Sequence, residues 1–583
     1  MMSDIIAHIP PAIIMLVASL LIPFLKEEIR RPFVLIIPLI TLAQIWQIPV
    51  GEGMLITHIA GFTVSPLYAH EYTHIFATIF CIAAFAGSLF GLYQSKPLEM
   101  SAAFLYAASA IGVTFSGDYI TMFIYWELMA IGSTLVIFAS DNKFAMRAGV
   151  RYAMVHFLGG IVFMAGIIAN IMYNGTVEVT AIDTNLLSVQ SGAALDTNYV
   201  LSVILILLGV LINAGAPPLS AWLTDAYPRS SAFGAVFLSA YTTKTSVFVL
   251  ITLFAGLDLL IYVGLFMVFY GIVYAMLEND MRKILSYSII NQVGFMVVGI
   301  GIGTDFALNG AATHAFAHII YKALLFMSAG SVLYMTGKSK CTELGGLYKT
   351  MPITATCGII GALAISAFPL TSGFVTKSMI TSAAMYENLE FVWLMLMAAS
   401  AGVFLHAGIK FPWFVFFQTD SGMRPKEPPM NMRLAMLLLS ALCIIPAIPS
   451  VAEHTIYRLL PTMPVYQSYT AEHVISQIQI LLFSAFAFFV CLGMLKRTDT
   501  ISLDFDWFYR RLGYYICSVI YYIARFPIRV GRIVLKKLFV HAIRIVRITH
   551  SPEGVMARRW PLSTTVMWIG FLLGVYMIVY FCS

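Results

Sequence analysis

The chain has 583 residues, of which 60% are hydrophobic and 11% charged, with a formal net charge of +6. Together with a mean hydropathy of +0.87, this excludes a soluble globular protein and describes an all-α polytopic membrane protein. The seven cysteines are scattered, with no CxxC or Cys/His spacing, so no disulfide, metal, haem, iron–sulfur site or other cofactor is expected, and nothing points to nucleic acid.

In chain order, apolar runs of about 20 residues, enough to cross a bilayer, fall near 5–25, 32–50, 73–94, 100–116, 118–140, 148–173, 199–227, 232–253, 258–278, 284–303, 309–336, 353–385, 391–409, 434–452, 474–495 and 561–582. The first begins without positive charge and carries Asp4, so it reads as a retained span and not as a signal peptide. Two runs exceed one straight helix and carry Pro217-Pro218 and Pro369 near their middles, the second followed by Gly373. These are read as broken helices. The breaks echo each other, Ala216-Pro-Pro-Leu-Ser220 against Ala367-Phe-Pro-Leu-Thr371, and Pro-interrupted spans in two halves point to a repeat-built transporter. GIGIG at 299–303 lacks the strand–turn–helix context of a nucleotide site and reads as small-residue helix packing.

With the N-terminus outside, Lys and Arg concentrate on one face: Lys26, Arg30 and Arg31; Lys96; Lys143, Arg147 and Arg151; Arg282 and Lys283; Lys338, Lys340 and Lys349; Arg424, Lys426 and Arg433. The loops 51–72, 174–198, 302–308 and 386–390 carry neither residue, and Arg458 is the exception. The basic face is therefore cytoplasmic, in a bacterial inner membrane. From 503 to 560 the chain is basic, with Arg525, Arg529, Arg532, Lys536, Arg544 and Arg547 recurring near helical period. That pattern describes a helix against anionic lipid, kinked at Pro527, and a strut for partner subunits is compatible with it. DFDWFYR at 504–510 reads as its aromatic anchor.

Four ionisable residues lie deep within spans: Glu127, Lys244, Lys322 and Lys377. Each costs about 2.5 to 3.5 kcal/mol on insertion scales, so together they waste on the order of 10 kcal/mol unless they serve a pathway. A mid-span Glu127 must be protonated or paired with a cation. Desolvated lysines exchange protons and suit a relay. His314 and His318 precede Lys322 by eight and four residues and share its helix face, giving titratable steps about 6 Å apart. Lys377 follows the second break, where freed carbonyls are available, and is the expected meeting point with one bulk phase. His156 and His406 have no polar neighbours at helical spacing and read as core or lining residues.

Several ordered motifs resemble the antiporter-like family: YWELM around Glu127, PPLSAWLTDAYP at 217–228, YTTKTSVF around Lys244, NDMRKILSYSIINQVGF at 279–295, THAFAHIIYKALLF at 313–326 and FPLTSGFVTKSMI at 368–380. That family comprises the proton-pumping subunits of respiratory complex I and the large subunits of Mrp-type sodium/proton antiporters. The resemblance covers roughly 100–410 and implies about fourteen core helices, two inverted five-helix repeats each with a broken helix, and a mid-membrane polar chain of Glu127, Lys244, His314, His318, Lys322 and Lys377. One position departs from the pattern: five residues before the proline of PLxxWL the family usually has a lysine, and this chain has Asn213. Asparagine carries no proton, so Glu127 is protonated, finds another cation, or no longer participates.

The organisation expected is N-terminal helices over 1–99, the antiporter-like core over 100–410, further spans over 411–502, the basic segment over 503–560 and a last span over 561–583. The function expected is a proton-translocating subunit of a multisubunit Na+/proton antiporter with other membrane subunits as partners. The alternatives are a pumping subunit of a complex I type NADH:quinone oxidoreductase, or a scaffold subunit that has lost transport. No catalytic chemistry is visible in the chain itself.

Overall fold

A computed structural model describes residues 9–59, 61–182, 197–462, 466–495, 498–499, 503–552, 554 and 562–582. Asp4, the first residues of the first expected span, part of the 174–198 loop and the end of the basic segment lie outside the described residues.

The chain runs through α1 (Pro11–Leu21), α2 (Glu27–Ile45), β1 (Gly53–Ile59), β2 (Phe62–Tyr68), α3 (Thr73–Phe90), α4 (Pro97–Thr114), α5 (Tyr119–Phe138), α6 (Lys143–Asn174), α7 (Thr197–Ala214), α8 (Ala221–Ala226), α9 (Ala232–Ala240), α10 (Thr242–Phe254), α11 (Leu259–Leu277) and α12 (Met281–Ile302). It continues through α13 (Asp305–Thr336), α14 (Pro352–Ile365), α15 (Ser372–Tyr386), α16 (Glu390–Val403), α17 (Met430–Ile444), α18 (Ala471–Val490), α19 (Gly513–His550) and α20 (Leu562–Cys582). Each of the sixteen expected spans coincides with helix, but among the described residues eleven are long and apolar enough to cross a membrane, with three shorter apolar helices. The chain is an integral, multi-pass membrane protein.

An all-helical expectation omits one element. The segment after α2 forms an antiparallel hairpin, β1 with β2. Its β-branched and aromatic residues suit a strand pair, and Ser65 N–H donates to the Asp118 carboxylate at 2.9 Å. The same carboxylate accepts from Thr121 N–H at 2.8 Å and so caps α5.

The core lies around α12 and α13, which are buried on almost all sides, as expected of helices that are apolar all round. Asp280 caps α12 by accepting from the N–H groups of Arg282 and Lys283 at 2.9 and 3.0 Å, and Gly303 ends it at φ 75°. GIGIG is a packing surface: a Cβ on Gly301 would stand 2.6 Å from Ile261 N, and one on Gly303 would stand 2.2 Å from Gly256 Cα.

Three interruptions open the helical ladders. The first separates α7 from α8, and Trp222 Nε1–H closes across it to Ile212 O at 3.0 Å. The second separates α14 from α15, with Ala367 and Leu370 at φ 57° and 67°. Here a Cβ on Gly373 would meet Ala364 O at 1.8 Å, so only glycine lets the chain turn this tightly. The third, at Tyr241 between α9 and α10, has no proline to announce it.

Two compact units divide the chain near residue 505. At the end of the first, Asp504 is buried and accepts from the hydroxyls of Tyr270 and Tyr287, the latter at 2.7 Å, while Phe505 stacks on Tyr270. The expected aromatic anchor is thus opened by a buried carboxylate clasp. The second unit holds α19, a helix of 38 residues, about 57 Å long, that continues through Pro527 and has no buried residue, and α20. Asp504→Ala leaves two buried hydroxyls without their acceptor. It is expected to destabilise the first unit by about 1 to 3 kcal/mol, read as a lower apparent midpoint in thermal unfolding of the purified protein.

Candidate functional site

The three lysines singled out in the sequence are buried, with Lys244 and Lys322 at 0% and Lys377 at 2% exposure, so none snorkels to the surface. Each meets a different environment. The interruption at Tyr241 frees the carbonyl of Ser239, and Lys244 Nζ donates to it at 2.6 Å. Lys322 Nζ has no hydrogen-bond partner. Lys377 Nζ also has none and lies over the Phe295 ring at 4.4 Å, a cation–π contact.

His314, His318 and Lys322 share the buried face of α13. The rings of His314 and His318 are 6.5 Å apart, and His318 lies within electrostatic reach of Lys244 and Lys322. Neither nitrogen of His318 is hydrogen-bonded. His314 is held on both sides: Nε2 pairs with Gln292 Oε1 on α12 at 3.0 Å, and Nδ1 with Thr376 Oγ1 on α15 at 3.2 Å. Tyr321 O–H donates to the same Gln292 oxygen at 3.1 Å. Thr376 adjoins Lys377, and His314 is within electrostatic reach of that lysine. A cavity of about 270 Å³ runs from exposed Tyr386 and Glu472 to Lys377, lined also by Ser378, Tyr466 and His473.

Glu127 stands apart from this group. Its carboxylate lies against Gly160 of α6, where a Cβ would stand 1.8 Å from Oε1. That oxygen is buried without a hydrogen bond, and among the described residues no cation lies within ion-pair distance. Asn213 is fully buried beside the first break, with neither amide atom hydrogen-bonded. The breaks at Pro217-Pro218 and Pro369-Gly373 hold no titratable residue, and the carbonyls freed at the second, expected to receive Lys377, do not, since its Nζ has no hydrogen-bond partner.

His156 and His406, expected as core or lining residues, are buried, with partners helical spacing did not show, and Lys410 was not singled out in the sequence at all. His156 is buried between Tyr152 and Trp222, with ring centroids at 4.1 and 4.5 Å, and faces Asn213. His406 lies in a π-helical stretch, Phe404–Lys410, bonded through Nδ1 to Gly402 O at 2.8 Å and within electrostatic reach of Lys322 and Lys377. Widened turns of this kind mark functional sites. Lys410 Nζ donates to Ala275 O, Met276 O and Glu278 O at 3.0, 2.5 and 2.6 Å, capping the end of α11. Helical spacing carries no signal for any of them, because their partners come from other helices.

The contrast between Lys410 and Lys322 can be measured. Lys410→Ala strips three carbonyls of a charged donor and is expected to cost about 1.5 to 3 kcal/mol or more. Lys322→Met removes an unpaired buried charge at similar volume, so thermal stability should stay unchanged or rise by about 1 to 3 kcal/mol. Thermal unfolding of both variants in detergent checks the difference.

Comparison with known proteins fits this geometry. The family described as NADH:quinone oxidoreductase/Mrp antiporter, TM, matches residues 116–404. The chain is 32% identical over 336 residues to a Na(+)/H(+) antiporter subunit of Alkalihalophilus pseudofirmus, taking in 54% of this chain and 67% of the relative. A chain of the Mrp complex from Dietzia sp. superposes with a TM-score of 0.68 at 19% identity, covering 82% of this chain and 100% of that one. A chain of respiratory complex I from Thermus thermophilus gives 0.63 at 17%, covering 77% and 99%. The last two establish the fold. The match over the polar core and two thirds of the antiporter relative places this chain in the NADH:quinone oxidoreductase/Mrp antiporter family of membrane subunits.

Proposed function

We propose that this chain is the proton-translocating subunit of a multisubunit monovalent cation/proton antiporter, with sodium as the coupled ion. The observation that carries the reading is the set of buried amines that the fold leaves without a counter-ion. A cation that only balanced charge would be paired, as the Arg151 guanidinium is with Asp225 at 2.6 Å. Lys322 and Lys377 instead have no hydrogen-bonding partner, an arrangement that costs stability and suits groups that release and regain protons.

The route runs from Glu127 through Lys244 to His318 and Lys322, then through His314 and Thr376 to Lys377. The cavity at Lys377 supplies the exchange with one bulk phase. With the basic loops cytoplasmic, that phase is the outside. The two Pro-interrupted helices belong to two inverted repeats within the 100–410 core, flanked by N-terminal spans before 99 and further spans over 411–502. The exposed basic and apolar faces of α19 rest on anionic lipid and on other membrane subunits of the complex.

A scaffold role without transport is the second reading, and Asn213 beside an unpaired Glu127 favours it. Proton flux in everted membrane vesicles carrying the whole complex separates the two. Lys244→Ala and Lys377→Ala should each lower cation-driven proton flux by at least about tenfold, the lower end of what positioned acid–base groups contribute. Unchanged flux in both variants leaves the scaffold reading alone.

A further inference from the structure

Five polar atoms without hydrogen-bonding partners gather on one face of α6. Glu127 Oε1 lies against Gly160 and the Asn213 amide oxygen lies 3.5 Å from where a Cβ on Gly159 would stand. His156, one turn earlier on the same helix, faces Asn213. The His156 ring and the Asn213 amide lie within interaction range of each other, but no ring nitrogen, amide atom or Glu127 Oε1 makes a hydrogen bond of good geometry. Each such buried atom costs about 1 to 3 kcal/mol. Grouped polar atoms of this kind are bridged by ordered water, which makes about three hydrogen bonds at such sites.

The Glu127 carboxylate lies against Gly160, one turn along α6 from His156. The other neighbours are the rings of Tyr152 on α6 and Trp222 on α8 and the neutral amide of Asn213 on α7. The acidic residue of α8, Asp225, is paired with Arg151 and Arg229. Gly160 is four residues beyond His156, a rise of about 6 Å along α6, which one or two bridging waters span.

On its other side His156 packs against the ring of Tyr152, tilted by 36° with centroids 4.1 Å apart, and the hydroxyl of that tyrosine is 3.5 Å from Thr242 Oγ1. Thr242 Oγ1 is 2.5 Å from the hydroxyl of Tyr106, which also accepts from Thr242 N–H at 2.9 Å. Thr242 opens α10 at the Tyr241 interruption, two residues before Lys244.

We infer that His156 is the proton-carrying partner of Glu127 in this chain and does the work that Asn213 cannot, passing protons through the Tyr152, Thr242 and Tyr106 hydroxyls toward Lys244. This rests on the antiporter reading and supplies its input half. The imidazole accepts at one ring nitrogen the proton released by the Glu127 carboxyl and gives up a proton from the other, so the ring ends neutral with its tautomer exchanged. Asn213 orients the ring.

The test uses the whole complex in everted membrane vesicles, with assembly checked by native electrophoresis. His156→Gln keeps a polar side chain but carries no proton, and should lower cation-driven proton flux at least about tenfold. Adding Asn213→Lys to it restores a titratable cation beside Glu127 and should recover a third or more of the original flux. Wild-type flux in His156→Gln overturns the inference, and so does a double variant as slow as the single one. Should His156→Gln fail to assemble, Asn213→Lys alone decides. A new cation facing the imidazole should move the pH profile of transport toward acid by about half a unit or more, and an unmoved profile overturns the inference. Lys377→Ala is measured in parallel. Loss of flux there with wild-type flux in His156→Gln rejects the role of His156 alone, whereas wild-type flux in both rejects the antiporter reading itself.

Discussion

An ammonium group inside an apolar bundle needs an oxygen to hold, and a continuous helix has none to give. Every mid-helix carbonyl is already taken by the N–H four residues on, so acceptors appear only where a helix ends or is interrupted. The cations of this protein follow that rule. Lys244 holds the carbonyl of Ser239 freed by the Tyr241 interruption. Lys410 holds three carbonyls at the end of α11. Arg282, fully buried, donates to the carbonyls of Tyr227, Pro228, Ser230 and Ser231 just past the first break. Lys322, midway along α13, has none, and neither has Lys377, the sixth residue of α15. A freed carbonyl within reach thus separates the buried cations that brace the fold from those that burden it.

The two halves of the core answer the same constraint differently. Around α13 the connection is made of titratable rings and amines, tied across helices by His314 between Gln292 and Thr376. The buried face of α6 carries no lysine. There the polar groups are a carboxylate, an imidazole, an amide and a cluster of hydroxyls on Tyr106, Tyr152 and Thr242. Hydroxyls both donate and accept, so such a cluster is satisfied without charge and tolerates burial better than a second lysine would.

Much of the architecture was legible in the amino-acid order. Hydrophobic length marked every helix that the structure forms at an expected span, and proline placed two of the three interruptions. GIGIG was readable as packing because closely spaced glycines let backbones approach. Burial of Lys244, Lys322 and Lys377 followed from depth within apolar runs, and the shared face of His314, His318 and Lys322 followed from a spacing of four. Among the described residues eleven helices are long and apolar enough to cross a membrane, and three apolar helices are shorter. Two of the three, ending at Ala214 and Ile365, are the first halves of the Pro-interrupted runs and stop where those runs break.

What the sequence determined by itself was depth and helical face, since both are properties of one helix and its period. The tertiary structure alone decided the neighbours: His156 against Asn213, His406 within reach of Lys322 and Lys377 from other helices, Lys410 on the end of α11, Asp504 between two tyrosines. It also decided the break at Tyr241, where the spare carbonyl is stabilised by a lysine five residues away and not by any local turn residue. Such contacts depend on how helices rotate and lean against one another, and that is set by the packing of all their surfaces at once.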